Sequence, residues 1–281
     1  MIDLRTELRP HFSGEAAFDR VFNLSGEVFR EFAGRRTVRV EIGGRGYFIK
    51  THGGVGWREI VKNLVALRLP VLGAREEWRA IRRFEELGVA TLSIAGFGER
   101  GRNPANRQSF LITDELAGRL SLEEFCRDWR RQPPRLRLKR AILEKVAGIA
   151  RTLHENGVNH RDFYICHFLI EPESIDRMNP DPQLHVIDLH RVQIRAKTPE
   201  RWIVKDLAGL WFSSMELGLS RRDVLKFMQI YRGLPIRHIL ATEKSFWRRV
   251  ERRATALFRK EFHREPPNIW AGHRPDTPDS R

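Results

Sequence analysis

The stretch that most constrains the fold of this chain runs from residue 154 to residue 170 and reads HENGVNHRDFYICHFLI. Gly157 closes an amphipathic pattern and therefore predicts the end of a helix. The polar triplet His160-Arg161-Asp162 follows, and an apolar run then returns the chain to a core. This order predicts a loop that holds the carboxylate of Asp162 rigidly at the edge of a cleft.

The N-terminal half has the alternation that is typical of a β-sheet. Residues 37–42 alternate polar and β-branched side chains, three glycines follow, and residues 47–50 run back, which predicts a hairpin. Residues 92–97 and 109–113 predict two further strands. The glycines of this hairpin fit neither a Gly-x-Gly-x-x-Gly nor a Walker sequence, so we assign Gly43, Gly44 and Gly46 to the hairpin turn. Ser25-Gly26, just before the hairpin, is the better candidate for a lid over phosphates.

Helices accompany the strands and then replace them. The N-terminal half predicts a helix near residues 58–69 and a second one, with Trp78, Ile81 and Phe84 on one face, that ends at Gly88. Near Gly118 the pattern changes from strands to helices, which indicates a lobe boundary. We therefore predict an α+β chain with three parts: a β-rich N-lobe over residues 1–117, a mostly helical C-lobe over 118–265, and a polar, Pro-rich, disordered tail over 266–281.

Within the C-lobe the apolar spacing predicts several helices. A capping box at Ser121 opens a helix through Trp129, and a long amphipathic helix runs from residue 136 to Gly157. Further helices are predicted over residues 201–212, 220–231 and 245–264. The last of these is basic and amphipathic, which is typical of a surface helix packed on the lobe or of a surface that contacts anionic lipid or carbohydrate.

Charge and cysteine content restrict the partners and the compartment. The chain has 281 residues with 51 Lys and Arg against 36 Asp and Glu, a formal net charge of +15. Such a field favours an acidic partner, whether a nucleic acid, an anionic membrane or a phosphate-bearing substrate. The two cysteines, Cys126 and Cys166, suggest no disulfide framework and therefore a reducing compartment. No run of about 18 apolar residues predicts a membrane span, so we expect a cytoplasmic protein that attaches at most to a membrane surface.

Five ionisable residues follow one another in the order that phosphoryl transfer requires. His-Arg-Asp is the opening of a kinase catalytic loop, which assigns Asp162 as the base for an attacking hydroxyl. Lys50 at a strand end would neutralise nucleotide phosphates, and Glu77 in a first helical turn would hold that lysine. Residues 184–189 include a β-branched run that predicts a strand, and Asp188 at the end of this run would hold Mg²⁺. Asp206, inside a helix that is apolar almost all round, needs buried partners, and loop backbone amides would serve.

The loop departs from the kinase pattern at two positions. His167 stands where kinases carry a metal-binding Asn, and Asp188-Leu189-His190 replaces Asp-Phe-Gly. Imidazole prefers softer metals than Mg²⁺, so His167 is a candidate ligand on position alone. The histidines of this region together with Cys166 also permit a zinc site, although no C-x-x-C or H-E-x-x-H spacing is present.

Residues 160–169 resemble, almost residue for residue, the loop of the lipopolysaccharide core heptose(I) kinases of Gram-negative bacteria. The resemblance extends to residues 25–30, 47–50, 70–74 with Glu77-Trp78, 186–191 and 205–207. It covers most of the chain up to about residue 265. It implies a bilobal protein-kinase-like fold and a family in which His167 regularly takes the Asn position, with His160 and Asp206 supporting the loop.

The resemblance also implies an activity and its partners. These are ATP- and Mg²⁺-dependent phosphorylation of the first heptose of the inner core, at the cytoplasmic face of the inner membrane. The substrate would be a heptose-bearing lipid A-core glycolipid, with an anionic membrane surface and an unidentified protein as further partners, and no nucleic acid. Three other interpretations remain open: a kinase-like phosphotransferase for another small hydroxyl acceptor, a catalytically dead kinase fold that acts as a membrane adaptor, and a nucleic-acid-binding protein.

Overall fold

A computed structural model describes residues 1–32, 34–54, 56–57, 73–103, 105–175 and 180–269. The chain forms two compact units. Unit 1 comprises Met1–Arg119, Val158–Arg161 and Gln183–Arg195, and unit 2 comprises Leu120–Gly157, Asp162–Pro182 and Ala196–Arg281. The helix predicted near residues 58–69 and the predicted disordered tail from residue 270 onward lie outside the described residues.

Unit 1 is built on a six-stranded antiparallel sheet in the order β1-β5-β6-β4-β3-β2. Its strands are β1 (Ile2–Leu4), β2 (Glu27–Phe32), β3 (Arg35–Ile42), β4 (Arg45–His52), β5 (Ile94–Arg100) and β6 (Gln108–Asp114). The predicted hairpin is confirmed as β3 and β4. Gly43 and Gly44 make its turn with φ of 60° and 74°. Positive φ values favour glycine, because glycine has no Cβ atom that would clash with the backbone.

Alternation along β4 determines which face of the sheet is core. Tyr47 and Ile49 are buried in the cluster that contains Leu8 and Phe18 from the N-terminal segment and α1 (Ala17–Phe22). Since successive strand residues point to opposite faces, Lys50 lies on the other face. Helix α2 (Arg75–Glu86) buries the predicted apolar stripe and is followed by Gly88 at φ 67°.

Two short segments from later in the chain complete unit 1. Strand β8 (Val158–Asn159) pairs antiparallel with β11 (Gln193–Ile194). Strand β10 (Leu184–Val186) bridges Thr91 in parallel, and the Thr91 hydroxyl donates to the carbonyl of Val186 at 2.5 Å. The predicted strand through residue 189 is therefore too long. It ends at Val186 because Asp188 adopts a left-handed conformation that a strand cannot continue.

Unit 2 is mostly helical. Strands β7 (Leu120–Ser121) and β9 (Phe168–Ile170) pair antiparallel. The helices are α3 (Leu122–Phe125), α4 (Leu136–Glu155), α5 (Glu200–Ser214), α6 (Arg221–Arg232), α7 (Ile236–Thr242) and α8 (Lys244–Phe262). The predicted capping box at Ser121 is confirmed. The predicted extent of its helix to Trp129 is wrong, because Cys126 leaves helical geometry and turns follow.

The other helix predictions for unit 2 are confirmed to within about two residues at each end. Helix α4 stops at Glu155, and Gly157 follows with φ 77°. Among the described residues, no helix is both long and apolar enough to cross a membrane.

Candidate active site

A partly buried ion pair of unit 1 joins β4 to α2. The Nζ atom of Lys50 donates to Oε1 of Glu77 at 2.5 Å. The Glu77 side chain is only 3% exposed, whereas that of Lys50 is 25% exposed. A carboxylate that only interacted with the helix dipole would not need to be buried against a lysine. The prediction that Glu77 reaches the strand lysine is confirmed.

Ser25 and Gly26, the predicted phosphate lid, directly precede β2. A Cβ on Gly26 would lie 2.3 Å from the carbonyl oxygen of Arg39 on the neighbouring strand. The glycine is therefore required by close approach of two backbones. Its role toward phosphates stays a prediction.

Asp188 lies in a backbone conformation that few residues adopt. Its φ is 64°, and its carboxylate accepts a hydrogen bond from Nδ1 of His190 at 2.5 Å. The preceding residue, Ile187, accepts a hydrogen bond from Nε2 of the fully buried His160 at 3.1 Å. His160 thus ties the His-Arg-Asp segment to the segment that carries Asp188, which is the kind of support predicted for it.

Two donors within unit 2 hold the backbone of Asp162. Its carbonyl oxygen accepts from the amide of Tyr164 at 3.0 Å and from Nδ1 of His167 at 2.7 Å. Because a carbonyl only accepts, Nδ1 of His167 carries the proton and the lone pair of the neutral ring lies on Nε2. The loop is anchored further by the amide of Ile165, which donates to Oγ of Ser213 at 3.0 Å. His167 therefore positions the loop, a role that its place in the motif did not indicate.

Asp206 belongs to a buried polar network in unit 2. Its Oδ2 lies 3.4 Å from Nε2 of His154, whose Nδ1 lies 2.9 Å from the hydroxyl of Tyr231. The side chains of His154 and Asp206 are 3% and 0% exposed, and burial raises the pKa of Tyr231. The prediction that Asp206 needs buried partners is confirmed, and His154 is a partner that we did not predict. The available signal was its position four residues after the buried Ala150 and eight after Val146 on α4.

His52 is a second residue that the sequence prediction missed. It follows Lys50 by two positions and so shares its face of the sheet. Burial, followed by the charges of Arg35, Lys50 and His190, lowers its pKa to about 4. At neutral pH His52 is therefore uncharged beside the candidate phosphate lysine.

The described residues contain no group of three or more His, Cys, Asp or Glu side chains suited to a metal ion. The two candidate metal ligands, Asp188 and His167, differ in the type of donor atom that they offer. Asp188 offers hard carboxylate oxygens, the type that Mg²⁺ prefers. His167 offers a softer imidazole nitrogen.

Comparison with known proteins first defines the class. A solved structure titled "WaaP in complex with acyl carrier protein" superimposes with a TM-score of 0.79 at 45% identity, covering 92% of this chain and 99% of the other. The fold is therefore kinase-like, with a β-sheet N-terminal region and a mostly helical C-terminal region, as predicted.

The family follows from the sequence comparisons. The chain belongs to the lipopolysaccharide kinase (Kdo/WaaP) family, whose pattern matches residues 19–231. It is 51% identical over 253 residues to a lipopolysaccharide core heptose(I) kinase of Pseudomonas aeruginosa, covering 89% of this chain and 93% of that one. The corresponding kinase of Escherichia coli K12 is 49% identical over 245 residues, covering 87% and 92%. The resemblance noted in the sequence is confirmed, and the protein is a kinase, an ATP-dependent phosphotransferase that uses a divalent cation.

Proposed function

We propose that this kinase transfers the γ-phosphoryl group of ATP to a hydroxyl of the first heptose of the lipopolysaccharide inner core. The observation that carries the proposal is near-full-length identity of 45–51% to three kinases named for that acceptor. The Lys50–Glu77 pair supplies the physical support, because a kinase uses a lysine held by a glutamate to neutralise phosphate charge, and here the Lys50 ammonium lies 2.5 Å from a carboxylate that is 3% exposed.

The proposed roles follow from the contacts of each residue. Lys50 neutralises phosphate charge, and Glu77 fixes its ammonium in one position. Ser25 and Gly26 cover the phosphates. Asp162 accepts the proton of the attacking heptose hydroxyl, a role typically worth about 10²–10⁴ in rate. Its backbone is held by two hydrogen bonds to one carbonyl oxygen, which keeps its position fixed while the side chain acts.

A divalent cation, which we propose is Mg²⁺, would be held by Asp188. The carboxylate fits a hard cation, and its hydrogen bond to His190 orients it. His167 would contribute through Nε2, the ring nitrogen that carries the lone pair. When bound, the cation supplies charge neutralisation for phosphate oxygens.

The role of His167 toward metal can be separated from its role in the loop. His167→Phe keeps an aromatic ring at this position but removes both ring nitrogens. If Nε2 binds the cation, the variant needs at least about tenfold more Mg²⁺ for half-maximal activity. A fall in kcat that saturating Mg²⁺ does not relieve, with the Mg²⁺ requirement unchanged, would remove His167 from the metal site.

The test of the proposed activity is phosphate transfer from ATP to a heptose-bearing core acceptor. We expect Asp162→Asn to reduce transfer by about 10²–10⁴. The control is Asp181→Asn, which should stay within twofold of wild type. Asp181 is 72% exposed, and within the described residues its one ion pair is with the surface Lys145. Transfer at the wild-type rate by Asp162→Asn, or preference of the wild type for an unrelated small acceptor, would reject this assignment.

The proposed acceptor also bears on the cellular location of the enzyme, and a solved relative bears on its protein partner. A glycolipid acceptor places the enzyme at the cytoplasmic face of the inner membrane, attached peripherally, and the net charge of +15 suits that surface. A solved relative forms a complex with acyl carrier protein. We propose that this chain also binds an acyl carrier protein, and that the unidentified protein partner predicted from the sequence is of this kind.

A cavity in unit 2 supports the proposal that an acyl carrier protein binds. It has a volume of about 270 Å³, and its apolar wall includes Ile142, Val146, Leu210 and Ile239, whereas Lys244 and Arg248 also line it. An acyl chain suits such a wall, and charged side chains of both signs line the cavity, since Asp223 and Glu251 are also among its lining residues. Size-exclusion chromatography should show a complex with the acylated carrier and none with the unacylated one.

Two exposed leucines give a matched test of the cavity. Leu240 is 47% exposed and lines the cavity, whereas Leu234 is 39% exposed and does not. Leu240→Gln should weaken binding of the acylated carrier about tenfold through lost apolar contact, and Leu234→Gln should leave it unchanged. Equal effects would show that the acyl chain enters elsewhere.

A further inference from the structure

Helix α8 has a fixed orientation in unit 2. Phe246, Val250, Ala254 and Phe258 recur every four residues and are all buried. Phe258 packs on Phe212 of α5 with ring centroids 6.5 Å apart, and Phe212 packs on Tyr164 of the Asp162 loop at 6.1 Å. The apolar side of α8 therefore faces the core, two ring contacts from the loop, and its opposite side faces solvent.

The side of α8 opposite its apolar side carries six cations between Arg248 and Lys260, and we call it the cationic face. At 100° per residue it spans about 140° of the helix, and every charged side chain on it is exposed. The members are Arg248, Arg249, Arg252, Arg253, Arg259 and Lys260. Among the described residues of α8, the acidic side chains Glu251 and Glu261 fall outside this arc.

Ion pairs neutralise only part of the cationic face. Arg249 pairs with Glu200, and Arg259 pairs with Glu265 at 2.8 Å. Over the described part of the chain, Arg252, Arg253 and Lys260 make no ion pair. Exposed cations without an ion pair contribute little to the free energy of folding. Their arrangement along one side of α8 therefore indicates another role.

The composition of the face indicates the kind of partner. From Arg248 to Lys260 it extends about 18 Å, and its only uncharged exposed member is Ala256. Protein interfaces centre on aromatic and apolar anchors and are depleted in charge at their core, and this face has neither property. A membrane with anionic headgroups presents many equivalent negative charges over such a length and needs no apolar anchor.

We propose that the cationic face of α8 docks the protein electrostatically on a membrane that contains anionic lipid. This inference rests on the proposed function only in that a glycolipid acceptor lies in a membrane. The attachment is peripheral and reversible, because the face has no apolar side chain that could insert among acyl chains. Docking through α8 also brings the unit that carries Asp162 to the membrane surface.

The test is flotation of the full-length protein with vesicles of phosphatidylcholine alone or with phosphatidylglycerol added. The wild type should float only with the anionic vesicles and should be released by salt. The variant Arg252→Gln/Arg253→Gln/Lys260→Gln should lose about a hundredfold in partitioning, given the usual contribution of each surface cation. These three residues line neither the cavity nor the candidate active site.

The matched control removes three exposed cations from another part of unit 2. Arg130→Gln/Arg131→Gln/Arg135→Gln lowers the net charge equally and should change partitioning by less than about threefold. Equal losses in both triple variants would show that net charge alone drives binding and would overturn the proposal. So would vesicle binding that survives in the α8 variant while binding to an acidic carrier protein or to RNA is lost.

Failure of docking and failure of the proposed function give different results. Phosphate transfer to a delipidated, water-soluble core acceptor should be unchanged in the α8 variant, and circular dichroism should match the wild type. A wild type that phosphorylates this acceptor but never floats would overturn docking alone. A wild type that floats as expected but transfers no phosphate would overturn the kinase proposal and leave docking supported.

Discussion

Glu77→Gln isolates the contribution of the Lys50–Glu77 pair to catalysis. The substitution keeps the shape of the side chain and removes its charge. The pair is short at 2.5 Å and Glu77 is 3% exposed, so it belongs to the charge-assisted hydrogen bonds, which contribute about 1.5–3 kcal/mol. Since about 1.4 kcal/mol corresponds to a factor of ten, we expect kcat/KM for ATP to fall about 10–100-fold.

The folded protein should tolerate this change. Lys50 keeps 25% of its side-chain surface exposed, so water can solvate the ammonium when its partner loses charge. The KM for the heptose acceptor should stay near the wild-type value, because the role that we propose for the pair concerns the nucleotide.

The control for this prediction lies one residue away. Glu76 is 54% exposed and pairs with Arg79 at 3.6 Å on the helix surface, so Glu76→Gln should change kcat/KM by less than twofold. Steady-state kinetics with varied ATP, after a check of folding by circular dichroism, measures both variants. If Glu77→Gln is folded and as active as Glu76→Gln, the pair is structural only and the argument for Lys50 fails.

Three further predictions concern buried groups and close packing. Tyr231→Phe leaves a buried nitrogen of His154 without its 2.9 Å partner and should cost about 1–2 kcal/mol, seen as a lower thermal midpoint; an unchanged midpoint would contradict the network. The pKa of His52 is about 4 when folded against 6.5 ordinarily, so the unfolded chain binds the extra proton between these values. Stability should therefore fall as the pH drops from 6.5 to 4, by up to about 3 kcal/mol, and His52→Gln should flatten this slope in urea titrations. Gly26→Ala should destabilise the protein because its Cβ would meet a backbone oxygen at 2.3 Å, whereas Gly148→Ala, with open space around it, should stabilise α4 by about 0.5–1 kcal/mol; equal midpoints in urea would refute the packing argument.

The elements that sequence predicted well are those determined by local pattern. The β3–β4 hairpin follows from alternation and a glycine turn, and its register is continuous over eight residue pairs. Helix α8 follows from apolar spacing and ends one residue before His263, at φ 53°. In both, the residues that decide the structure lie within a few positions of one another, so a single sequence carries the information.

The failures have a common physical cause. The helix from Ser121 was predicted to reach Trp129, and it stops at Phe125 although the apolar spacing continues. The strand through Val186 was predicted three residues too long, because the left-handed backbone of Asp188 ends it. Each boundary depends on packing or backbone geometry that neighbours in sequence do not encode.

The candidate site shows the same division at the level of single residues. Lys50, Glu77 and Asp162 could be proposed from the sequence because their order along the chain matches the order in which they occur in kinases. His154 and Tyr231 were missed because the contacts of His154 with Tyr231 and with Asp206 join positions that are 77 and 52 residues apart. Such contacts become visible only in the folded chain.

His167 combines both kinds of information. Its place five residues after Asp162 in the motif predicts a metal ligand, and its Nδ1 contact shows a hydrogen bond to the carbonyl of Asp162. The two roles use different nitrogens of one ring, and the hydrogen bond at Nδ1 is what directs the lone pair to Nε2. An Asn divides the same two tasks between its amide nitrogen, which donates, and its amide oxygen, which accepts or binds a cation. Histidine at this position can likewise fix the backbone of Asp162 through Nδ1 and still present Nε2 toward a cation.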